Sequence, residues 1–324
     1  MPLSSVAIVG AGLAGLACAK TLAAHGVTTR IFDKGRASGG RLATRRVELE
    51  GQKLSFDHGA QYLTSRGPLF TSMLDALGAR PWIDATRRVG VPNMSAIPRA
   101  LSGGMEIATA RQVEEIVGGP GAWLLRHVAP PRPDRRQSKD LPVEENGPFD
   151  AVVLAVPAPQ AMSLLTGPAP HLAEALSGVR MAPCWTLMAA FTNRLQLPDS
   201  QRLSGGPIGW AARDSSKPGR QHEDECWVVQ FAPDWTREHL EFTAEAALPL
   251  LLEAFRKLAG GALPDPIYAA AHRWRYALTE IPLGAPCLWD PVLGLGACGD
   301  WCVAARAEAA VDSGAALATA MRAK

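Results

Sequence analysis

The sequence predicts an α/β fold: a parallel sheet built on a glycine-turned βαβ unit, into which a second, α+β lobe with a mixed or antiparallel sheet is inserted. Three observations predict it. Residues 6–33 read strand, turn, helix, strand. The middle of the chain, roughly 162–286, changes character and gathers Trp185, Trp210, Trp227, Trp235 and Trp274 among strand-like pieces. Residues 293–321 then return to strand, turn and alanine-rich helix. A chain of 324 residues, at about 150 per domain, also gives two lobes.

The elements follow in order. Val6-Ala7-Ile8-Val9 is a short apolar run, the pattern of a strand buried on both faces. Gly10-Ala11-Gly12 turns the chain, 13–24 has helical composition closed by Gly26, and 27–32 is a second β-branched run ending at Asp33. A Gly/Ser-rich loop bearing two arginines covers 36–41, and 69–77 carries apolar residues at helical spacing. Residues 110–117 and 123–128 read as neighbouring strands. Between them and the buried run 151–156 lies 129–148, proline-rich and charged, expected to be an exposed and mobile excursion. In the second lobe 185–191 and 226–231 are strand-like and 244–258 helical. The chain closes with a strand at 293–298, a turn at Gly299-Asp300 and a helix over 302–321. The expected domains are 1–62, 100–161 and 286–324 for the nucleotide lobe and 63–99 and 162–285 for the substrate lobe.

Composition excludes several classes. A 47% hydrophobic chain buries a core and is neither disordered nor fibrous. A net charge of +2, from 33 basic and 31 acidic residues, leaves no electrostatic footprint for nucleic acid or an anionic membrane. The longest stretch without charge, 151–173, is broken by four prolines, and a spanning helix needs roughly 20 unbroken residues. The N-terminal apolar run lacks a basic flank and contains three glycines, so a soluble, cytoplasmic protein is expected. The six cysteines show no CxxC pair or zinc spacing; they are expected to be reduced and buried, with no metal. His222-Glu223-Asp224-Glu225-Cys226 reads as a solvated charge run, since adjacent loop residues do not converge on one ion.

The chemistry starts at Gly10-x-Gly12-x-x-Gly15, with Asp33 eighteen residues beyond the third glycine. Gly10 allows the tight turn, Gly12 lets backbone approach a pyrophosphate, and Gly15 permits close helix–strand packing. The helix start, with Ala11, Leu13 and Ala14, supplies free N–H groups and the positive end of the dipole. Asp33 would accept from ribose hydroxyls and disfavours a 2′-phosphate. The motif alone does not choose between NAD and FAD. Gly39-Gly40 allows a second close approach to phosphate, and Lys34, Arg36 and Arg41 bring positive charge beside it. Gly299-Asp300 offers, at the far end of the chain, a helix start and an acid for polyol hydroxyls. A cofactor needing both ends is long, as FAD is.

These motifs resemble the flavin amine oxidase superfamily. Within it, Asp57-His58-Gly59-Ala60-Gln61-Tyr62, Met94-Ser95-Ala96-Ile97, Leu154-Ala155-Val156-Pro157, His272-Arg273-Trp274-Arg275-Tyr276-Ala277 and Gly299-Asp300-Trp301-Cys302 are similar to renalase and its bacterial relatives, in order along nearly the whole chain. The 129–148 excursion is longer than the resemblance leads one to expect. The resemblance implies a discontinuous FAD domain with a substrate domain inserted over the flavin face. It also implies oxidation of 2-dihydro and 6-dihydro isomers of NAD(P)H to NAD(P)+, with hydride passing to flavin N5 and electrons to O2, giving H2O2.

Hydride transfer from a dihydronicotinamide needs position and shielding rather than a general base, and no triad is visible. Gln61 and Tyr62, after the Gly-Ala turn, are the candidates for the flavin face, and Trp274 for a stacking wall. His58, Gly59 and Ala60, with Val113 on the strand 110–117, join the expected cofactor contacts. Trp301 and Cys302 are expected at the flavin pyrimidine end. Cys302 reads as a buried thiol, so FAD is expected to be non-covalent. Amine oxidases proper place a lysine near flavin N5, and none of the few lysines here aligns with that role. Oxidation of a small amine is the alternative, and a non-catalytic flavin-binding module a third reading.

Overall fold

The computed structural model describes residues 3–130, 142–220, 224–261 and 263–323. The chain forms two compact units: Met1–Gly40, Pro98–Arg180 and Thr279–Lys324 make the first, and Arg41–Ile97 with Met181–Leu278 the second.

The first unit is organised by a six-stranded sheet. Its order is Leu288–Asp290, Leu295–Ala297, Ala151–Leu154, Ser5–Val9, Thr28–Phe32 and Glu106–Ala108. Every pair is parallel except the antiparallel edge at Leu288–Asp290. The central runs AIV and AVVL are buried on both faces, which is why they lack alternation. Helix Leu13–Ala23 packs against the C-terminal helix Ala307–Ala320. They meet so closely that a Cβ on Gly314 would stand 2.1 Å from the Ala14 carbonyl oxygen.

A separate three-stranded antiparallel sheet holds Gln112–Gly119, Ala122–Val128 and Glu144–Phe149. Its third strand corrects the expected excursion: 144–148 is paired with the preceding strand, because antiparallel backbone pairing tolerates the polar, proline-containing stretch at an edge. Residues 131–141 of that excursion lie outside the described residues.

The second unit is built on a five-stranded sheet of order Ser200–Arg202, Ile208–Arg213, Glu225–Phe231, Arg180–Phe191 and Tyr268–Ile281. Its two faces separate by residue parity. Trp185, Leu187, Ala189, Phe191, Trp227, Val229 and Phe231 form one core with Ala247, Leu251 and Phe255 of helix Ala244–Leu258. That helix has the predicted limits, starts on Thr243, whose hydroxyl accepts from Ala246 N–H, and accommodates Pro249. Met188, Ala190, Cys226 and Val228 face the other way, onto Leu54 and Phe56 of the hairpin Arg45–Leu49/Gln52–Phe56.

This second core explains where the units depart from the expected domain limits. Residues 41–62 belong with the second unit because Leu54 and Phe56 are buried on its sheet. Residues 162–180 stay with the first, where helices Ala158–Leu165 and Pro170–Ala175 pack together and the former meets strand Gln112–Gly119. Among the described residues no helix is long and apolar enough to cross a membrane, and all six cysteines are free.

Candidate functional site

In the first unit the glycine motif makes a cradle. Gly10 has φ +109°, and a Cβ there would sit 2.5 Å from the Ala155 carbonyl oxygen. A Cβ on Gly15 would stand 2.0 Å from the Gly10 carbonyl oxygen. Gly12 differs: its backbone is ordinary extended chain and a Cβ would meet nothing within 4 Å. The packing of the fold does not demand glycine there. Helix Leu13–Ala23 begins on Gly12 with no side-chain cap, leaving the N–H groups of Leu13, Ala14 and Gly15 in the first turn, ahead of the first intrahelical bond at Leu16. Gly40, with φ +52°, brings its Cβ position to 3.6 Å from Gly12 Cα, and Gly39 N–H bonds the Ala11 carbonyl at 2.8 Å.

Asp33 closes this turn. Its carboxylate accepts from Ala11 N–H and Gly35 N–H, both at 2.6 Å, which leaves further lone pairs for a diol. Its main chain is clasped in turn: Asp33 N–H bonds Ala108 O and Arg111 N–H bonds Asp33 O. Val113 lies two residues beyond that clasp, half-buried in strand Gln112–Gly119. Lys34 and Arg36 are exposed on the loop.

At the other end of the chain the expected helix start is corrected. Asp300–Cys302 is one 3-10 turn, and the α-helix begins only at Ala307, after Arg306 has returned to extended backbone. The cause is Trp301, which is buried with its indole N–H on the Val156 carbonyl at 2.9 Å and pulls the turn down onto the sheet. Gly299 is required beside it, since a Cβ would lie 2.3 Å from that indole nitrogen. Asp300 is buried and accepts from the Thr279 hydroxyl. Cys302 is fully buried, and burial pushes its thiol up to about 12.

The second unit presents a polar row at the end of the face that carries Met188 and Val228. Arg202, Trp210, Gln230 and Thr186 are successive cross-strand partners, hence on one face. His272 and Trp274 share the parity of Tyr268 and Ala270, which pack on that same face. Segment 56–62 runs across it. Phe56 stacks on Tyr268, and His58 stacks on Trp274 with ring centroids 5.2 Å apart. Trp274 Nε1 donates to the His58 carbonyl at 3.0 Å, Gln230 Nε2 to the Gly59 carbonyl at 2.6 Å, and Tyr62 reaches Trp210 at the far edge. Gly59 is the point of closest approach to Arg41, whose carbonyl accepts from Ala60 N–H at 2.8 Å. The Arg41 guanidinium donates to the Ala277 carbonyl.

Buried ion pairs anchor the segment. Lys217 Nζ lies 2.6 Å from Asp214 and 3.3 Å from Asp57, and Arg220 also pairs with Asp57; all four side chains are fully buried. Asp57 additionally accepts from the Thr44 hydroxyl and Met94 N–H. Burial works to raise Asp57, but the Lys217 and Arg220 charges and these donors outweigh it and hold the carboxyl below its ordinary value; Asp214 is raised by burial and by the Asp57 charge. Lys217 also donates to Gln61 Oε1 at 3.3 Å, while Gln61 Nε2 turns back on the Asp57 and Gly59 carbonyls. His58 and His272 are neutral: burial lowers them to about 4 and about 3.

The structure thus brings Gln61, Tyr62, Trp274, His58, Gly59 and Ala60 together on one face. Lys217, Arg202 and Gln230 complete it without having been named, together with Trp210 and His272, which were named but given no site role. Period-two alternation in the strands was the available signal for Trp210 and Gln230; nothing in the polar run 214–220 distinguishes Lys217 from a surface lysine. The expected solvated run at 222–226 is overturned in its described part. Asp224 and Glu225 are buried, and Glu225 is held by Arg213, Leu195 N–H and the Trp227 indole. Residues 221–223 lie outside the described residues. No group of three or more metal-ligating side chains occurs among those described.

Two family profiles match the chain. Residues 8–77 match an NAD(P)-binding Rossmann-like domain, and residues 84–314 match flavin containing amine oxidoreductase. Over 75 residues the chain is 39% identical to mitochondrial protoporphyrinogen oxidase of Nicotiana tabacum and 41% identical to protoporphyrinogen oxidase 2 of Arabidopsis thaliana. Each match covers 23% of this chain and only 14% of the relative. Among solved structures, a protein of Exiguobacterium sp. 255-15 assigned as protoporphyrinogen oxidase superposes with TM-score 0.73 at 12% identity, over 99% of both chains. Wild-type putrescine oxidase bound to putrescine superposes with TM-score 0.67 at 13% identity, also over 99% of both. These two likenesses concern the fold.

Proposed function

The chain belongs to the flavin containing amine oxidoreductase family, and from that premise we propose that it is a renalase-like oxidase of mis-reduced nicotinamide dinucleotides. Its substrates would be the 2-dihydro and 6-dihydro isomers of NAD(P)H. Each gives up one hydride to become NAD(P)+, and that hydride, a solvent proton and O2 together make one H2O2.

FAD, bound non-covalently, is the cofactor that membership of this family implies for the chain, and when bound it supplies the hydride acceptor and the reactivity with O2. The first unit fits it. The empty Cβ direction at Gly12, the uncapped first-turn N–H groups of Leu13, Ala14 and Gly15, and the facing Gly40 suit a pyrophosphate. Asp33 would take ribose hydroxyls on its spare lone pairs, Lys34 and Arg36 would flank phosphate, and Asp300 would accept from the polyol.

The observation that carries the substrate reading is the charge state of the second unit's polar face. Its carboxylates, Asp57 and Asp214, are buried in ion pairs, and its histidines are held neutral. Arg202, exposed at its edge, has no carboxylate partner among the described residues. Such a face suits an anionic substrate and disfavours an ammonium. Its carboxylates are all committed to cations, and hydride loss from a dihydropyridine needs no base. Trp274 and His58, stacked and hydrogen-bonded to each other, give a rigid wall for a flat ring.

Lys217 favours a second reading, because amine oxidases proper place a lysine near flavin N5. Here that lysine is consumed by two carboxylates and Gln61. Anaerobic mixing of the purified holoprotein with 6-dihydro-NAD tests the proposal, read at the flavin band near about 450 nm. Rapid bleaching, reversed by air with peroxide formed, is the expected result. A protein that stays yellow with both isomers but bleaches with putrescine or another small amine takes the second reading. One that no reductant bleaches is a flavin-binding module.

A further inference from the structure

We propose that Arg202, Trp210, Tyr62 and Arg87 form a subsite for the adenosine-diphosphate half of the substrate; this rests on the dinucleotide reading above. The four side chains come from three places in the second unit. Arg202 and Trp210 are cross-strand partners on Ser200–Arg202 and Ile208–Arg213, Tyr62 ends the segment laid across the sheet, and Arg87 comes from strand Asp84–Val89.

They are arranged as alternating cations and rings. The Arg202 guanidinium lies 5.5 Å from the Trp210 ring centroid and donates through Nη2 to the Tyr62 hydroxyl at 3.1 Å. Tyr62 and Trp210 are themselves 5.5 Å apart, tilted by 58°. Arg87 stands 5.2 Å from the Tyr62 ring centroid. Its charge is partly met by Asp84, at 3.1 Å. Arg202 has no such partner among the described residues, so Nε and Nη1 retain their donors.

An independent observation points to a ligand. Trp210 is only 7% exposed, yet its indole N–H has no acceptor. A buried donor left unmet is uncommon and is ordinarily satisfied by water or by a bound group. The ring that carries it is the one over which the Arg202 guanidinium lies. Guanidinium forks match phosphate oxygens, and stacked arginine and aromatic planes accept a purine. An ammonium substrate would gain nothing from this cluster. The position is also apt: Trp210 is the cross-strand neighbour of Gln230, whose amide holds Gly59, so the subsite is continuous with the face carrying His58 and Trp274.

The test uses the FAD-loaded protein, so that ADP cannot enter the cofactor cradle. Calorimetric titration with ADP should show binding, weakened on the order of tenfold or more in Arg202→Met and partly restored in Arg202→Lys. Trp210→Phe, which keeps a ring but removes the N–H, should also weaken ADP. In stopped-flow reduction, the preference for 6-dihydro-NAD over 6-dihydronicotinamide mononucleotide should narrow by a similar factor in Arg202→Met. Failure of ADP to bind, or equal binding by wild type and Arg202→Met, overturns the subsite even if dihydronicotinamides bleach the flavin. ADP binding that depends on Arg202, in a protein that no dihydronicotinamide reduces, upholds the subsite and removes the oxidase reading instead.

Discussion

The carbonyl oxygen of Gly10 lies 2.0 Å from the point a Cβ on Gly15 would occupy, whereas a Cβ on Gly12 would meet nothing within 4 Å. Two glycines of one motif therefore differ: packing demands glycine at 15 and does not demand it at 12, which on the proposed reading faces the pyrophosphate. Gly15→Ala should destabilise the protein by about 1–3 kcal/mol or more, because helix and turn must part. Gly12→Val should leave the FAD-stripped protein within about 0.5 kcal/mol of wild type and abolish FAD retention. Thermal unfolding of the stripped proteins, with flavin content after gel filtration, separates the two effects. A fully loaded, yellow Gly12→Val protein contradicts the cradle.

The cradle was legible in sequence because its parts are consecutive: strand, turn, helix and acid follow one another within 33 residues. Helix Ala244–Leu258 was legible for a similar reason, since its apolar stripe and Thr243 cap are local. The polar face of the second unit was not. Arg202, Trp210, Gln230, Thr186 and Trp274 come from five strands, and only register puts them in a row. Segment 57–62 was singled out, but not Lys217, whose partners in that segment, Gln61 and Asp57, are 156 and 160 residues away. The late start of the last helix, at Ala307, escaped because alanine-rich composition does not register the tertiary bond from Trp301 to Val156.

The neutral histidines predict a pH dependence. Burial lowers His58 to about 4 and His272 to about 3, from 6.5 in the unfolded chain. Between those limits the unfolded state binds more protons, so their contribution is whole above pH 6.5 and is lost as pH falls toward 4 and then 3. For His58 alone the loss is roughly 3 kcal/mol across its window. Urea unfolding from pH 7 to 4.5 should show this slope, and a His58→Gln, His272→Gln double variant should show a shallower one. Equal slopes would mean that the pair is not neutral in the fold.

Burial pushes the Cys302 thiol up to about 12, which leaves essentially no thiolate at neutral pH to bond a flavin carbon. Acid precipitation of the holoprotein should therefore release all flavin to the supernatant as FAD. Colour in the washed pellet, lost in Cys302→Ser, would refute this.

Lys217 is the keystone of the segment that carries Gln61 and Tyr62. Its ammonium lies between the fully buried Asp57 and Asp214, and Arg220 pairs with the same Asp57 oxygen, Oδ2. Lys217→Met leaves Asp214 with a buried charge and no adjacent ion-pair partner, a loss of about 3–5 kcal/mol. Adding Asp214→Asn removes that charge and should recover more than half of the loss, although each change alone is harmful. Acid should have a related effect. Asp214 is already raised in the fold, and without Lys217 it rises further, so its protonation favours the folded state more as pH falls toward the ordinary carboxylate range. The stability gap between wild type and Lys217→Met should therefore narrow on acidification, by denaturant unfolding at matched pH values. A gap that stays constant with pH, or a double variant no more stable than Lys217→Met, would show that Lys217 holds the segment by packing rather than by charge.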